Sequence, residues 1–363
     1  MNDDRFRLPA GKNVRRRAAG KPEQRWSQRS TLPTFRPPPP PPPTGSWGPD
    51  VLGPGFVAQT FDQPDDGEGS VVTTLVHYQP DGSAPPRPAM AVLYVHGWGD
   101  YFMQTELAEF WHQRSAVFYA VDLRKCGRSI RQHQTRCYVA SLSEYDADLQ
   151  LAIDTIRREH GSDIPIVAVA HSQGGLTTSL WAARNPEVFS GLVLNSPFLE
   201  VHGSTLARQV SHPVISQVAR HQARLPIPIP APTFYDRVVN SQFGGEWTLE
   251  PSWRPDVDSP IRPGWLDAVM AGHARVAAGL DLQIPILVLT SHRTVISSRW
   301  REDMRGADIV LDVKQLWRRI PDLGAMVTLA KIHNGLHDVL LSAPQVRAQA
   351  YAQIDRWWRG YGP

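Results

Sequence analysis

Pro165-Ile166-Val167-Ala168-Val169-Ala170-His171-Ser172-Gln173-Gly174-Gly175-Leu176 changes its periodicity at one residue. Before Ser172 lies a β-branched apolar run of the kind that fills a buried strand. After it, Leu176, Leu180, Trp181 and Ala183 keep a helical period until Asn185-Pro186 stops it. A serine held at a sharp strand-to-helix bend leaves no room for bulky neighbours two positions away on either side, and these are Ala170 and Gly174. Glycine is usual at both, so Ala170 is a departure that adds one methyl. Ser172 alone could be an ordinary helix N-cap. Strand, bend and helix together stand where an exposed nucleophile requires them, and the spacing points to Ser172 as that nucleophile.

The chain of 363 residues is 41% hydrophobic, enough for a sizeable core. Its charge is unevenly placed. Residues 1–36 carry ten Lys/Arg against three Asp/Glu, about +7, which leaves about −4 for the rest of a chain whose total is +3. Nucleic-acid binding by the folded part thereby loses its main support. No run is long enough to cross a bilayer, and the first residues lack the apolar stretch of a secretory signal. The two cysteines, Cys126 and Cys137, are too few for a disulfide framework and have no metal-ligand spacing. The expectation is a soluble cytoplasmic protein.

Residues 1–45 read as a disordered basic tail ending in the proline run Pro37–Pro43, which favours an extended form and cannot pack into a core. It could dock on a proline-recognising partner, but as an incidental extension it needs no partner, and the latter reading is preferred. Order is expected from residue 46 to 363, with a strand over Ser70–Tyr78 and a turn-rich link over Pro80–Pro88. Strands over Ala91–Val95, Ala116–Val121, Ile166–Ala170 and Gly191–Asn195 then alternate with helices over Thr105–Gln113 and Ser143–His160. Such βα units imply a mostly parallel sheet covered on both faces, an α/β fold. From about 200 to 281 the rhythm breaks, with Leu225-Pro-Ile-Pro-Ile-Pro-Ala-Pro232 forbidding a continuous helix. Strands resume at Ile284–Thr290 and Ala325–Ala330. The interruption reads as a cap inserted over the carboxyl edge of the sheet, where open α/β sheets place ligands.

A serine nucleophile needs donors for the oxyanion, a base and an acid. When it stands at a strand-to-helix bend, one donor is the backbone N–H of the next residue and another comes from the loop after a neighbouring strand. These would be Gln173 and Trp98, the latter in Val95-His96-Gly97-Trp98-Gly99-Asp100. Backbone donors aimed at the developing charge act most strongly where water is excluded. His96 reads as a residue that holds this turn. The chain order Ser, then Asp or Glu, then His puts the base after the last strand, at His333 or His337. His337 is preferred because it precedes the terminal helical segment with Gly335 opening the turn. His333 lies too close to the strand end, and the adjacent Asp338 reads as the start of a helix. Asp303, Asp308 and Asp312 are open for the acid. Asp303 lies in a charged stretch that reads as surface, and Asp312 has Gln315 at capping-box spacing.

These motifs resemble the α/β-hydrolases of the monoacylglycerol lipase and lysophospholipase type, also grouped with the serine aminopeptidases. The resemblance runs from about Trp47 to the C-terminus. His96-Gly97-Trp98 is similar to that family's oxyanion turn, and His171-Ser172-Gln173-Gly174-Gly175 to its elbow. Asp122–Ser129 is similar to its Asp-x-x-Gly-x-Gly-x-Ser loop, with Lys125 where the family has glycine. Ala307-Asp308-Ile-Val-Leu-Asp312 resembles the acid segment, and the resemblance carries the acid onto Asp308. The stretch between Thr290 and Asp308 is longer than the family's. The resemblance implies an α/β-hydrolase fold and a serine hydrolase acting on a small-molecule carboxylic ester, expected to be one with an acyl chain.

An amidase of serine aminopeptidase type and a noncatalytic ligand-binding relative are the alternatives. Ser172 at the elbow excludes the dehalogenase and epoxide hydrolase chemistries that place aspartate there. No cofactor or metal is implied, since there is no H-E-x-x-H and the histidines do not cluster in sequence. Val210, Val214, Ile215 and Val218 fall at helical spacing, with Leu225, Ile227, Ile229 and Phe234 following. Any one of them alone would be ordinary packing. Together, beside a lipase-like site, they suggest an acyl-chain slot and a preference for medium-chain monoesters.

Overall fold

The computed structural model describes residues 39–80, 88–201, 205–227, 234–254 and 260–362. Most of the tail, most of the 80–88 link, Ile229 and the side chain of Val210 lie outside them. Where the tail ends, Pro43 O accepts Thr60 N–H at 2.9 Å and Pro42 O accepts the Thr60 hydroxyl at 2.9 Å. Ordered pairing therefore begins inside the proline run, a few residues before the expected boundary. A proline carbonyl can accept a hydrogen bond although its nitrogen cannot donate one.

Among the described residues, nine strands form one sheet. They are β1 (Gly48–Pro49), β2 (Phe56–Asp66), β3 (Gly69–Tyr78), β4 (Met90–Val95), β5 (Ala116–Asp122), β6 (Ile166–His171), β7 (Gly191–Asn195), β8 (Ile286–Ser291) and β9 (Val327–Ile332). Their order is β1-β2-β3-β5-β4-β6-β7-β8-β9. The first three run antiparallel up to β5, and every pairing from β5 to β9 is parallel. The last two strands start two residues later than their sequence patterns suggest, and Pro285, just before β8, has no N–H for the ladder.

Period-two alternation divides the core. In β4, Ala91, Leu93 and Val95 join one apolar cluster while Met90, Val92 and Tyr94 join the other. The first cluster is covered by α2 (Asp146–His160), α3 (Gln173–Arg184) and α6 (Pro263–Ala277), the second by α1 (Thr105–His112) and α8 (Pro344–Tyr361). Both faces are thus sealed, as a parallel sheet requires. Between β7 and β8 the chain forms α4 (Thr205–Gln222), α5 (Tyr235–Val239) and α6, in the stretch read as a cap; α7 (Val313–Arg319) follows β8. Among the described residues, no helix is long and apolar enough to cross a membrane.

The chain order of the sheet reverses at β4, which pairs with β5 on one side and β6 on the other. Loops leaving the carboxyl ends of β4 and β6 must therefore part there, the edge at which open α/β sheets bind ligands. The loop after β5 borders it. Asp122 accepts the Phe102 and Arg128 N–H groups, and Arg128, whose side chain is wholly buried, spans Asp122 at 2.9 Å and Asp50 at 2.7 Å. Lys125 has a left-handed backbone (φ 62°), the conformation that explains a glycine in related loops. Here the buried ammonium pairs with Asp66 and, at 2.7 Å, with Glu68, so the loop is tied to the β2–β3 hairpin. Cys126 and Cys137 are buried free thiols in contact with each other.

Removing one member of a buried charge network leaves the others unpaired and desolvated, a loss of about 3–5 kcal/mol. Arg128→Met is expected to lower stability on that scale in urea denaturation. Arg184→Met, which breaks the exposed pair with Asp146, is expected to cost about 1 kcal/mol or less.

Candidate active site

The bend after β6 is built on one residue. Ser172 has φ 51° and ψ −119°, outside the regions that L-residues favour, and it leads directly into α3. Three backbone bonds hold it there. Its N–H donates to Asn195 O at 3.0 Å, and its carbonyl accepts Phe198 N–H at 2.9 Å and Leu176 N–H at 3.2 Å. Gly174 is required on the other side, because a Cβ there would stand 2.2 Å from His96 O. Helix α3 can therefore press against the turn that follows β4. Ala170, the departure from glycine, is fully buried in the core, where its strand pairs with both β4 and β7.

That turn is held by His96, as its place before the glycine suggests. Nδ1–H donates to Gly97 O at 2.7 Å, and Nε2 accepts Leu123 N–H at 3.0 Å, a pattern that assigns the tautomer. Both ring nitrogens are used, so His96 is not available as a base. Trp98 follows Gly97, whose Cα lies against His171 and Ser172. Gln173 is the first residue of α3, a position whose N–H has no intrahelical acceptor. The Gln173 side chain accepts Trp265 Nε1–H from α6 at 2.7 Å, and the indole of Trp265 packs on that of Trp98 with centroids 5.1 Å apart. The two residues expected to donate to an oxyanion thus meet one tryptophan of the cap.

His337 lies 2.9 Å from the Ser172 hydroxyl through Nε2 and 3.0 Å from Asp308 through Nδ1. With Nδ1–H donating to the carboxylate, Nε2 is left to accept the serine proton. Asp308 is fully buried, and its other oxygen accepts Val310 N–H at 2.8 Å and Leu311 N–H at 2.7 Å. Of the three aspartates left open by spacing, this is the one brought to His337. Asp312 caps α7, accepting Lys314 N–H at 2.9 Å, and Asp303 pairs with Arg301 near the surface. The long stretch before Asp308 is a detour that closes on itself: Asp308 N–H donates to Arg293 O at 3.0 Å, and Val295 N–H donates to Asp308 O at 2.9 Å. The added residues leave Asp308 beside His337. His333 is exposed and stacks on His292, 4.3 Å between centroids.

Sequence reasoning missed the polar layer under His337. Asp338 does cap the 3-10 turn at Val339–Leu341, but it also accepts Gln104 Nε2–H at 2.8 Å and Asn195 Nδ2–H at 2.5 Å. The Asn195 carbonyl oxygen of the side chain accepts Val339 N–H at 3.1 Å. The signal was Asn195 itself, a polar residue closing an apolar strand. His171 sits beneath, 4.8 Å from the His337 ring, and burial pushes its imidazole below the usual range despite nearby Asp338. Asp100, His171 and Asp338 each have a donor atom within 4.8 Å of the others. Arg254, however, lies 3.7 Å from Asp100 and supplies a cation there.

The apolar residues expected to form a slot are arranged differently. Val214 and Val218 are 64% and 39% exposed, so α4 turns this side to solvent, and Leu225, just after the helix, is 52% exposed. Helical spacing finds a common face but cannot say which way the face points.

The family described as serine aminopeptidase, S33, matches residues 86–341, more than half of the chain. Among curated relatives, phospholipase YtpA of Bacillus subtilis is 32% identical over 118 residues, 31% of this chain and 42% of that protein. The monoacylglycerol lipase of Mycolicibacterium smegmatis is 26% identical over 144 residues, 39% of this chain and 48% of that protein. The chain thus matches less than half the length of each. A solved monoacylglycerol lipase from Paleococcus ferrophilus aligns over 76% of this chain and 96% of its own, with TM-score 0.56 and 18% identity. A soluble variant of the Saccharomyces cerevisiae monoglyceride lipase aligns over 84% and 97%, with TM-score 0.57 and 15% identity, a likeness of fold. By the family match and by its architecture, the chain belongs to the serine aminopeptidase, S33 family and has the α/β-hydrolase fold.

Proposed function

We propose that the protein is a serine hydrolase of carboxylic esters, with Ser172 as nucleophile, His337 as base, Asp308 as acid, and the Trp98 and Gln173 N–H groups as oxyanion donors. The observation that carries the reading is the bridging of Ser172 and Asp308 by His337, at 2.9 and 3.0 Å. Ser172 Oγ adds to the ester carbonyl while its proton passes to His337 Nε2, and Asp308 stabilises the resulting imidazolium. The carbonyl oxygen becomes an anion facing the two backbone N–H groups. Collapse expels the alcohol, which takes the proton from His337 and leaves an acyl-enzyme. Water, deprotonated by His337, then releases the acid and restores Ser172.

Two things support an ester with an acyl chain. The curated relatives carry the names phospholipase and monoacylglycerol lipase. Aromatic rings also lie next to the residues proposed to act with the serine: Trp265 packs on Trp98, and the Tyr235 ring lies 5.8 Å from that of His337. An apolar chain gains about 0.8 kcal/mol for each methylene it buries. The protein is accordingly read as a lipase-like enzyme for monoesters rather than an amidase.

Ser172→Ala is expected to abolish both ester hydrolysis and labelling by a fluorophosphonate probe while leaving the melting temperature within a few degrees. Labelling that persisted would move the nucleophile elsewhere. Asp308→Asn should lower kcat by about 10⁴, the scale of neutralising such an acid. Asp312→Asn should lose only part of a helix cap, about 1 kcal/mol of stability. The reverse ranking would transfer the acid to Asp312. Against p-nitrophenyl esters of graded length and amino-acyl anilides, kcat/KM should be greatest for medium chains and small for the anilides. A maximum at acetate, or preference for the anilides, would overturn the substrate class.

A further inference from the structure

A second cluster lies at the end of the sheet opposite Ser172, where α2 finishes and the chain turns toward the start of β6. His77 on β3, Tyr119 on β5 and the pair Glu159-His160 at the end of α2 meet there. His77 is fully buried and stacks flat on Tyr119, centroids 4.0 Å apart. Its Nδ1 lies 2.9 Å from Phe118 O, and a carbonyl can only accept, so Nδ1 carries the proton. Nε2 is thereby a bare lone pair, and it is buried without a hydrogen-bond partner. One nitrogen of each imidazole and one Glu159 oxygen lie within 4.8 Å of one another.

We infer that His77, Glu159 and His160 form a binding site for one divalent ion of the zinc class. Three features support the assignment beyond proximity. An imidazole whose N–H is fixed by a backbone carbonyl while its other nitrogen faces inward is the usual outer-shell arrangement of a metal-ligating histidine. The carboxylate is oriented in the same manner: Tyr119 O–H donates to one Glu159 oxygen at 2.6 Å, and Trp47 Nε1–H donates to the other at 3.2 Å. Two imidazoles and a carboxylate with one position left for water suit zinc. Tetrahedral bonds of about 2.0–2.2 Å place ligand atoms roughly 3.3 Å apart, so the cluster must close up on the ion. The exposed Glu159 can swing inward, and it leaves a path from solvent. His160 would exchange its contact with the Tyr119 hydroxyl, 2.7 Å, for the metal or bind through its other nitrogen. The sequence hides the site because His77 is far from Glu159-His160 in the chain.

The test uses the full chain without added histidines, stripped with a chelator and titrated with Zn²⁺ against a chromophoric chelator. One ion per chain is expected, with a higher melting temperature and visible absorption of four-coordinate type when Co²⁺ replaces zinc. Glu159→Gln, at an exposed side chain that leaves folding unaffected, should weaken binding at least about tenfold, the lower end of the effect of disturbing even an outer-shell group. His77→Gln should do the same. Ester hydrolysis should be unchanged by either. No binding, or binding that survives Glu159→Gln and is lost in His171→Gln, would overturn the assignment; the latter result would place the ion at the cluster under His337.

Discussion

The backbone of Ser172 is the constraint on which the rest depends. A left-handed residue between a buried strand and a helix is costly for any L-amino acid and persists only where its surroundings over-determine it. Here they do so from both sides. Asn195 and Phe198 grip its N–H and carbonyl, and α3 is pulled so close to the turn after β4 that no side chain fits at Gly174. One geometric decision thus sets three others: the serine hydroxyl meets His337 Nε2, α3 begins at the very next residue, and the turn carrying Trp98 is brought alongside.

His337 is held by a different means. It lies on a loop, which lacks the ladder bonds that fix a strand, so its position must come from side chains. Asp338 and Asn195 supply it by fastening the residues after His337 to the end of β7, while Gln104 fastens Asp338 to the start of α1. Asn195 serves twice, since its main-chain carbonyl holds Ser172 and its side chain holds the histidine loop. Ser172 and His337 are therefore referenced to one residue, which limits how far they can drift apart. Fully satisfied buried networks of this kind rigidify a site, and half-satisfied ones would destabilise it.

What the sequence disclosed follows from the range of the interactions. Strands, bends and caps are set by neighbours within a few residues, and these were legible: the Ser172 bend, the His96 turn, the Asp312 cap and the order of βα units. The choice among Asp303, Asp308 and Asp312 was not, because it depends on a detour closing between Arg293 and Asp308, a contact no periodicity records. It took resemblance to a family to single out Asp308. The direction of the α4 apolar residues and the polar layer under His337 were hidden for the same reason, since both depend on segments far apart in the chain. Lys125 shows the converse: at a position where the backbone asks for glycine, the lysine is retained by Asp66 and Glu68 on a distant hairpin.

The stretch between β7 and β8 meets the candidate site through Trp265. Its indole N–H fixes the Gln173 side chain and its ring covers Trp98, so one residue of α6 meets both segments that would offer N–H groups to an oxyanion. Such donors are effective when they are preorganised and shielded from water, and a buried indole against both provides each condition. A shift of α6 would alter the electrostatics of the turn before it altered access, because the hydrogen bond and the ring contact break within an ångström or two of displacement while the opening of a crevice needs several. Under the proposed function, α6 therefore acts on the rate of hydrolysis through Trp265 and not only on what reaches Ser172.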